Sequence, residues 1–235
     1  MTFAIFRIAT MAVGICLAAT ACAQQKTVQR QPYVSSKSPE ELRQLREAFY
    51  NTDCTDKGLA QRRSQAANKD LFKALTDIPL QEAHAFMANY TRVSFYLGGS
   101  HGTQIEYTSE DGKAHLWYPG NDRILHGKWK VTREENQTLV CFAYGPGTSN
   151  PATGHVGDDF ECGPLHTFRL TTVDSAKGDP FALASTDEIE HRLPKMAARP
   201  YMPNCQPFKQ PHLTEGKTII EHLLEDLPAN APRPS

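Results

Sequence analysis

The sequence has no Walker loop, no G-x-G-x-x-G fingerprint, no H-E-x-x-H and no kinase set of motifs. Each of those builds a phosphate cradle, a dinucleotide turn or a metal-activated water, so no cofactor is expected. No pair of cysteines has C-x-x-C spacing, which argues against zinc ribbons and thiol redox catalysis. Charge of one sign is not in excess: 25 Lys and Arg stand against 26 Asp and Glu, for a formal net charge of −1. Without a basic stripe, nucleic acid is not expected as a partner. Beyond Ala23 no apolar run approaches the length of a membrane span, so no transmembrane helix is expected in a mature chain.

What is present begins with an address. Arg7 precedes an apolar run over residues 8–19 and then small residues, the order of an export signal. The run is too short to stay in a bilayer as a permanent helix. Ala21-Cys22-Ala23 before Gln24 fits ordinary cleavage and makes 1–23 a signal peptide. Ala19-Thr20-Ala21-Cys22 resembles a lipobox with Ala in place of its Leu, which would make Cys22 a lipid anchor on an outer-membrane lipoprotein. Both readings place the protein outside the cytoplasm, in a bacterial periplasm or envelope.

Export gives the cysteines a meaning. Removal or lipidation of the first two leaves Cys54, Cys141, Cys162 and Cys205, an even count expected to form two disulfides. Cys141 and Cys162 bracket the segment GPGTSNPATGHVG, which is too rich in Gly, Pro and Asn to pack itself. The expected pairs are therefore Cys141–Cys162 and Cys54–Cys205.

A polar leader, 24–37, precedes one domain expected over 38–227, with a disordered tail over 228–235. Ser38-Pro39-Glu40-Glu41 is a capping box with Pro at the first helical position, and Leu42, Leu45 and Phe49 follow on one face, predicting a helix over 39–50. Helical spacing recurs over 69–77 and 79–89. From Thr91 the period becomes two, and Asp111-Gly112, Pro119-Gly120-Asn121-Asp122 and Glu134-Glu135-Asn136 punctuate a row of strands. TLVCFAY and HTFRLTTV extend that row. The Pro-rich remainder carries helical patterns at 187–193 and 218–227. The class is α+β: an antiparallel meander, as a small sheet or partly closed barrel, with N-terminal helices on one side and a C-terminal segment ending in a helix.

Alternation assigns faces. It places Ile105, Tyr107, Leu116, Leu125 and Trp129 toward a core and Gln104, Glu106, His115, His126 and Lys128 toward solvent. If Ser109 to Gly112 form a four-residue loop, Glu106, His115 and His126 stand in a row that could ligate a cation. A tighter Asp111-Gly112 turn puts Thr108 opposite His115 and moves Glu106 toward Trp117. Sheet faces are commonly filled with His, Glu and Lys, and Lys128 opposes a metal there. The same residues with an exposed Trp117 have the composition of a contact for a small ligand or an envelope protein. Gly98-Gly99-Ser100-His101-Gly102 matches G-x-S-x-G, in which Ser100 would be a hydrolase nucleophile, yet strand-forming residues follow where a nucleophile elbow needs a helix. Asp158, Asp159 and Glu161 lack the spacing of a calcium loop.

The segment DGKAHLWYPGNDRILHGKWKV followed by TLVCFAYG resembles uncharacterised exported proteins of proteobacteria, which pair a G-x-W strand with a C-F strand. Here those are Gly127-Lys128-Trp129 and Cys141-Phe142. The resemblance implies a periplasmic or envelope setting and supplies no catalytic residues. The expected role is a non-catalytic binding protein, with a Ser100 hydrolase or a His115/His126/Glu106 metal protein as the alternatives.

Overall fold

The computed structural model describes residues 33–52, 55–96, 101–201 and 217–232. The Gly98 to Ser100 part of the G-x-S-x-G match, Cys54, Cys205 and the export segment lie outside them. Four short helices come first: α1 (Pro39–Tyr50), α2 (Asp56–Ser64), α3 (Lys69–Thr76) and α4 (Leu80–Met87). The capping box at Ser38 forms with both of its hydrogen bonds. Helix α2, with no apolar face, is one that periodicity did not indicate.

Seven antiparallel strands follow: β1 (Tyr90–Tyr96), β2 (Gly102–Thr108), β3 (Lys113–Trp117), β4 (Leu125–Glu134), β5 (Gln137–Ala143), β6 (Glu161–Pro164) and β7 (Thr172–Lys177). Their order in the sheet is β6-β5-β4-β3-β2-β1-β7. The first five form the expected meander, and β6, which the alternation did not indicate, extends it. HTFRLTTV is not one strand: its first part is helix α5 (Leu165–Thr171), which turns Leu165 and Phe168 into an apolar cluster, and only its end is β7.

That connection dictates the shape of the sheet. Strands β6 and β7 are opposite edges, which in a flat sheet of this size lie about 29 Å apart at the usual inter-strand spacing. The chain crosses between them through one seven-residue helix, about 10 Å long. The sheet must therefore curl until its edges approach, and it forms a curled half-barrel with α5 across its mouth. The class is α+β with an antiparallel sheet, as expected.

Each face of the sheet carries a core, and only the outward residues His126, Lys128 and Lys130 of β4 stay exposed among those the alternation placed toward solvent on that strand. Inside the curl, Trp129, Ala114 and Val140 pack with Met87 and Ala83 of α4 and Leu165 of α5. On the outer face, Val93, Phe95, Ile105 and Trp117 pack with Phe181, Leu183, Leu193 and helix α6 (Ile219–Asp226). Residues 187–193 are not helical as expected; the Ile124 N–H donates to the Asp187 carbonyl and the Ile189 N–H to the Asp122 carbonyl, so 187–189 lies extended beside the 122–124 turn. Buried Asp174 of β7 accepts from the backbone N–H of Ile220 at 2.7 Å, tying the start of α6 to the sheet. Ala231 is also buried in that outer cluster. No helix among the described residues is long and apolar enough to cross a membrane.

The disulfide Cys141–Cys162 is formed, across neighbouring positions of β5 and β6. It clasps the loop over 144–160, which folds back on itself through a Ser149–Val156 bridge.

Candidate functional site

The turn between β2 and β3 decides where each candidate side chain points. Ser109 pairs with Lys113, leaving a three-residue loop that ends on Gly112 at φ +82°, a conformation Gly adopts without steric cost. The loop is one residue shorter than the four-residue version and one longer than the tight turn. Tyr107 therefore stands opposite His115, and Glu106 stands opposite Leu116. A one-residue slip moves every side chain of a strand to the other face. The Glu106, His115, His126 row is thus not assembled: Glu106 points into the curl, and the two histidines point outward.

The histidines do meet, directly opposite each other across β3 and β4. Their Nδ1 atoms are 2.7 Å apart, and His126 Nε2 lies 3.0 Å from Asp187. The pattern is satisfied when His115 donates to His126 and His126 donates to Asp187. Two nitrogens on one tetrahedral zinc stand about 3.3 Å apart, so 2.7 Å is hydrogen-bond geometry. Burial, and then His126, hold the His115 pKa below the ordinary imidazole value. Among the described residues no group of three or more His, Cys, Asp or Glu side chains could hold a metal ion. Trp117 is fully buried in the outer cluster and contributes nothing to an exposed contact. Its indole N–H finds no acceptor among the described residues.

Inside the curl, alternation brings different residues together. Gln104, Glu106, Leu116, Leu125 and Phe142 line a cleft of about 630 Å³, closed by Phe168 of α5 on one side and the clasped loop on the other. Glu106 forms its floor. Only 8% of the residue is exposed, and burial pushes its pKa up to about 8 despite Arg92 on the next strand. The Tyr144 hydroxyl donates to Oε1 of Glu106; Oε2 has no hydrogen-bond partner among the described residues.

Tyr144 reaches that floor because Gly127 has no side chain. A Cβ on Gly127 would come within 2.2 Å of the Ala143 carbonyl oxygen and 2.8 Å of the Tyr144 ring. The neighbouring Trp129 stands opposite Phe142, and its indole donates to the Ser109 carbonyl at 2.9 Å. At the mouth, His101 Nδ1 is 3.1 Å from the Tyr118 hydroxyl, and burial lowers the His101 pKa. Asn150 of the loop donates to Glu161 at 2.9 Å.

Of the sequence candidates among the described residues, Glu106 lines the cleft, as do Asp159 and Glu161, whereas His115, His126 and Trp117 do not. Tyr144, Gln104 and His101 were missed as site residues; the signal for Tyr144 was its position just past a strand and beside a cysteine clasp. Compared with known family models, with curated proteins and with solved structures, the chain matches none.

Proposed function

We propose that this protein is a non-catalytic binding protein of the periplasm or envelope that holds one small amphipathic ligand in the cleft of its curled sheet. The observation that carries the reading is the cleft itself: about 630 Å³, within the range of small-molecule sites, with apolar walls and one buried carboxyl on its floor. Leu116, Leu125 and Phe142 offer apolar area, and Glu106 with Tyr144 offers a single oriented polar contact. Such a division fits a ligand with an apolar body and one polar group. The export-type N-terminus and the clasp between Cys141 and Cys162 support an oxidising compartment. The likeness to exported proteobacterial proteins agrees with that setting, and lipidation at Cys22 would fix the protein to a membrane surface.

The test uses three fluorescent probes of similar size: neutral N-phenyl-1-naphthylamine, anionic anilinonaphthalene sulfonate and cationic acridine orange. At least one is expected to bind saturably at one site. Leu125→Trp, which fills the cleft, is expected to weaken that binding by roughly tenfold or more with an unchanged unfolding midpoint. No saturable binding by any probe, or binding indifferent to Leu125→Trp, would overturn the reading.

A further inference from the structure

Among the described residues, the carboxylates and cations that line the cleft are all of one sign. Among the described residues its lining contains Glu106, Glu161 and Asp159 but neither Lys nor Arg. The carboxyls are placed differently: Glu106 is buried at the floor, whereas Asp159 is exposed at the rim. Aromatic faces stand between them. Phe142 and Tyr144 stack with ring centres 6.1 Å apart, and Phe168 lies 5.7 Å from Phe142. Aromatic faces with carboxylates beyond them attract a cation and repel an anion. Oε2 of Glu106, which has no hydrogen-bond partner among the described residues, completes the arrangement with an acceptor for an N–H donor.

From this we propose that the cleft selects an organic monocation, a protonated amine on an aromatic or alkyl body, with its nitrogen at Glu106 and its body along Phe142, Tyr144 and Phe168. The proposal rests on the binding role argued above and names the ligand's charge.

The groups facing Glu106 decide what binding does to its proton. Arg92 is its neighbour on β1, but the guanidinium turns away, donating to the Met87 carbonyl at 3.1 Å and to Thr108 at 3.2 Å. Its plane lies over Phe86, 4.4 Å from the ring centre. Arg169 of α5 lies over the same ring at 4.7 Å and meets Glu47 at 3.4 Å. Tyr144 donates to Glu106 from just past β5, His101 and Tyr118 stand at the mouth, and Glu161, Asp159 and His155 lie toward the loop. Neither arginine enters the cleft. Because burial keeps the Glu106 carboxyl protonated at neutral pH, docking of an ammonium there displaces that proton to solvent, and the ion pair replaces the acid.

The experiment measures the three probes against the full chain between pH 6 and pH 9, a range in which acridine orange remains a monocation. At pH 8 it should bind roughly tenfold tighter than either other probe, and its own affinity should rise by about tenfold per pH unit up to the Glu106 pKa, levelling above it. Glu106→Gln should flatten the profile and weaken binding at pH 8. Glu161→Gln, nearer the surface, keeps the question open to test if the first variant does not fold; it should weaken acridine orange and leave the naphthylamine unchanged. A cleft that takes the neutral or anionic probe, with sensitivity to Leu125→Trp, but not acridine orange overturns the charge preference and leaves the binding role standing. Acridine orange binding with the same pH profile in wild type and Glu106→Gln also overturns the charge preference. If no probe binds, both fall.

Discussion

Glu106 carries a cost that has a measurable sign. In the unfolded chain its carboxyl titrates near pH 4.3; in the fold, burial moves it to about 8. Below the lower value both states hold the proton and the residue's contribution to stability is fully present. Between the two values only the folded state holds it, so stability falls as pH rises, by about 1 kcal/mol per unit. The loss is complete once the pH has passed the folded value. Chemical denaturation of wild type and Glu106→Gln at pH 5, 6, 7 and 8 should give curves that diverge with this slope, the glutamine variant being flatter. Parallel curves would mean that Glu106 is ionised in the fold. Nothing in the local sequence TQIEYT marks this residue as buried, because alternation reads it as one of the polar positions of a half-wet strand.

At the scale of elements, loop length decides more than residue type. The strands β2 and β3 were legible from their alternation, and so was the β3–β4 register that brings His115 opposite His126. The facing of β2 was not, because the Ser109 to Gly112 region accommodates loops of two, three or four residues, and only the three-residue loop turns Glu106 away from the face of His115. The long loop before β6 was legible for a simpler reason: a segment with so little to bury needs a covalent clasp. Closing residues 141 to 162, a separation of 21, contributes about 3 kcal/mol by restricting the unfolded chain. The double variant Cys141→Ala, Cys162→Ala should lose about that much in urea denaturation. It should also release the acridine orange probe faster, since the loop is one wall of the cleft. Unchanged stability would show that the loop holds its shape through the Ser149–Val156 bridge and its own hydrogen bonds.

For the molecule as a whole, one sheet serves two cores. Alternating strands with a polar face suggested a single core with solvent behind it. The outer cover escaped because it is irregular, Pro-rich chain whose contacts with the sheet are long-range and carry no period. Leu183, Leu193 and Leu223 supply that cover, and only the last sits on an expected helix that forms, since the pattern over 187–193 does not become one. The two tryptophans divide between the clusters, Trp117 in the outer one and Trp129 inside the curl. Each is therefore a reporter for one core when the other is replaced by Phe. Because β3 gives Trp117 to the outer cluster and Ala114 to the inner one, and joins the strands of both in one sheet, neither core can dissolve and leave the other a complete wall. Both single-tryptophan proteins should therefore unfold with the same midpoint. Leu223→Ala, which opens a cavity only in the outer cluster, should cost about 2–5 kcal/mol and lower both midpoints together. A shift seen by Trp117 alone would mean that the C-terminal cover opens independently. The cleft, built wholly on the inner face, would then keep its probe affinity after the outer core had come apart.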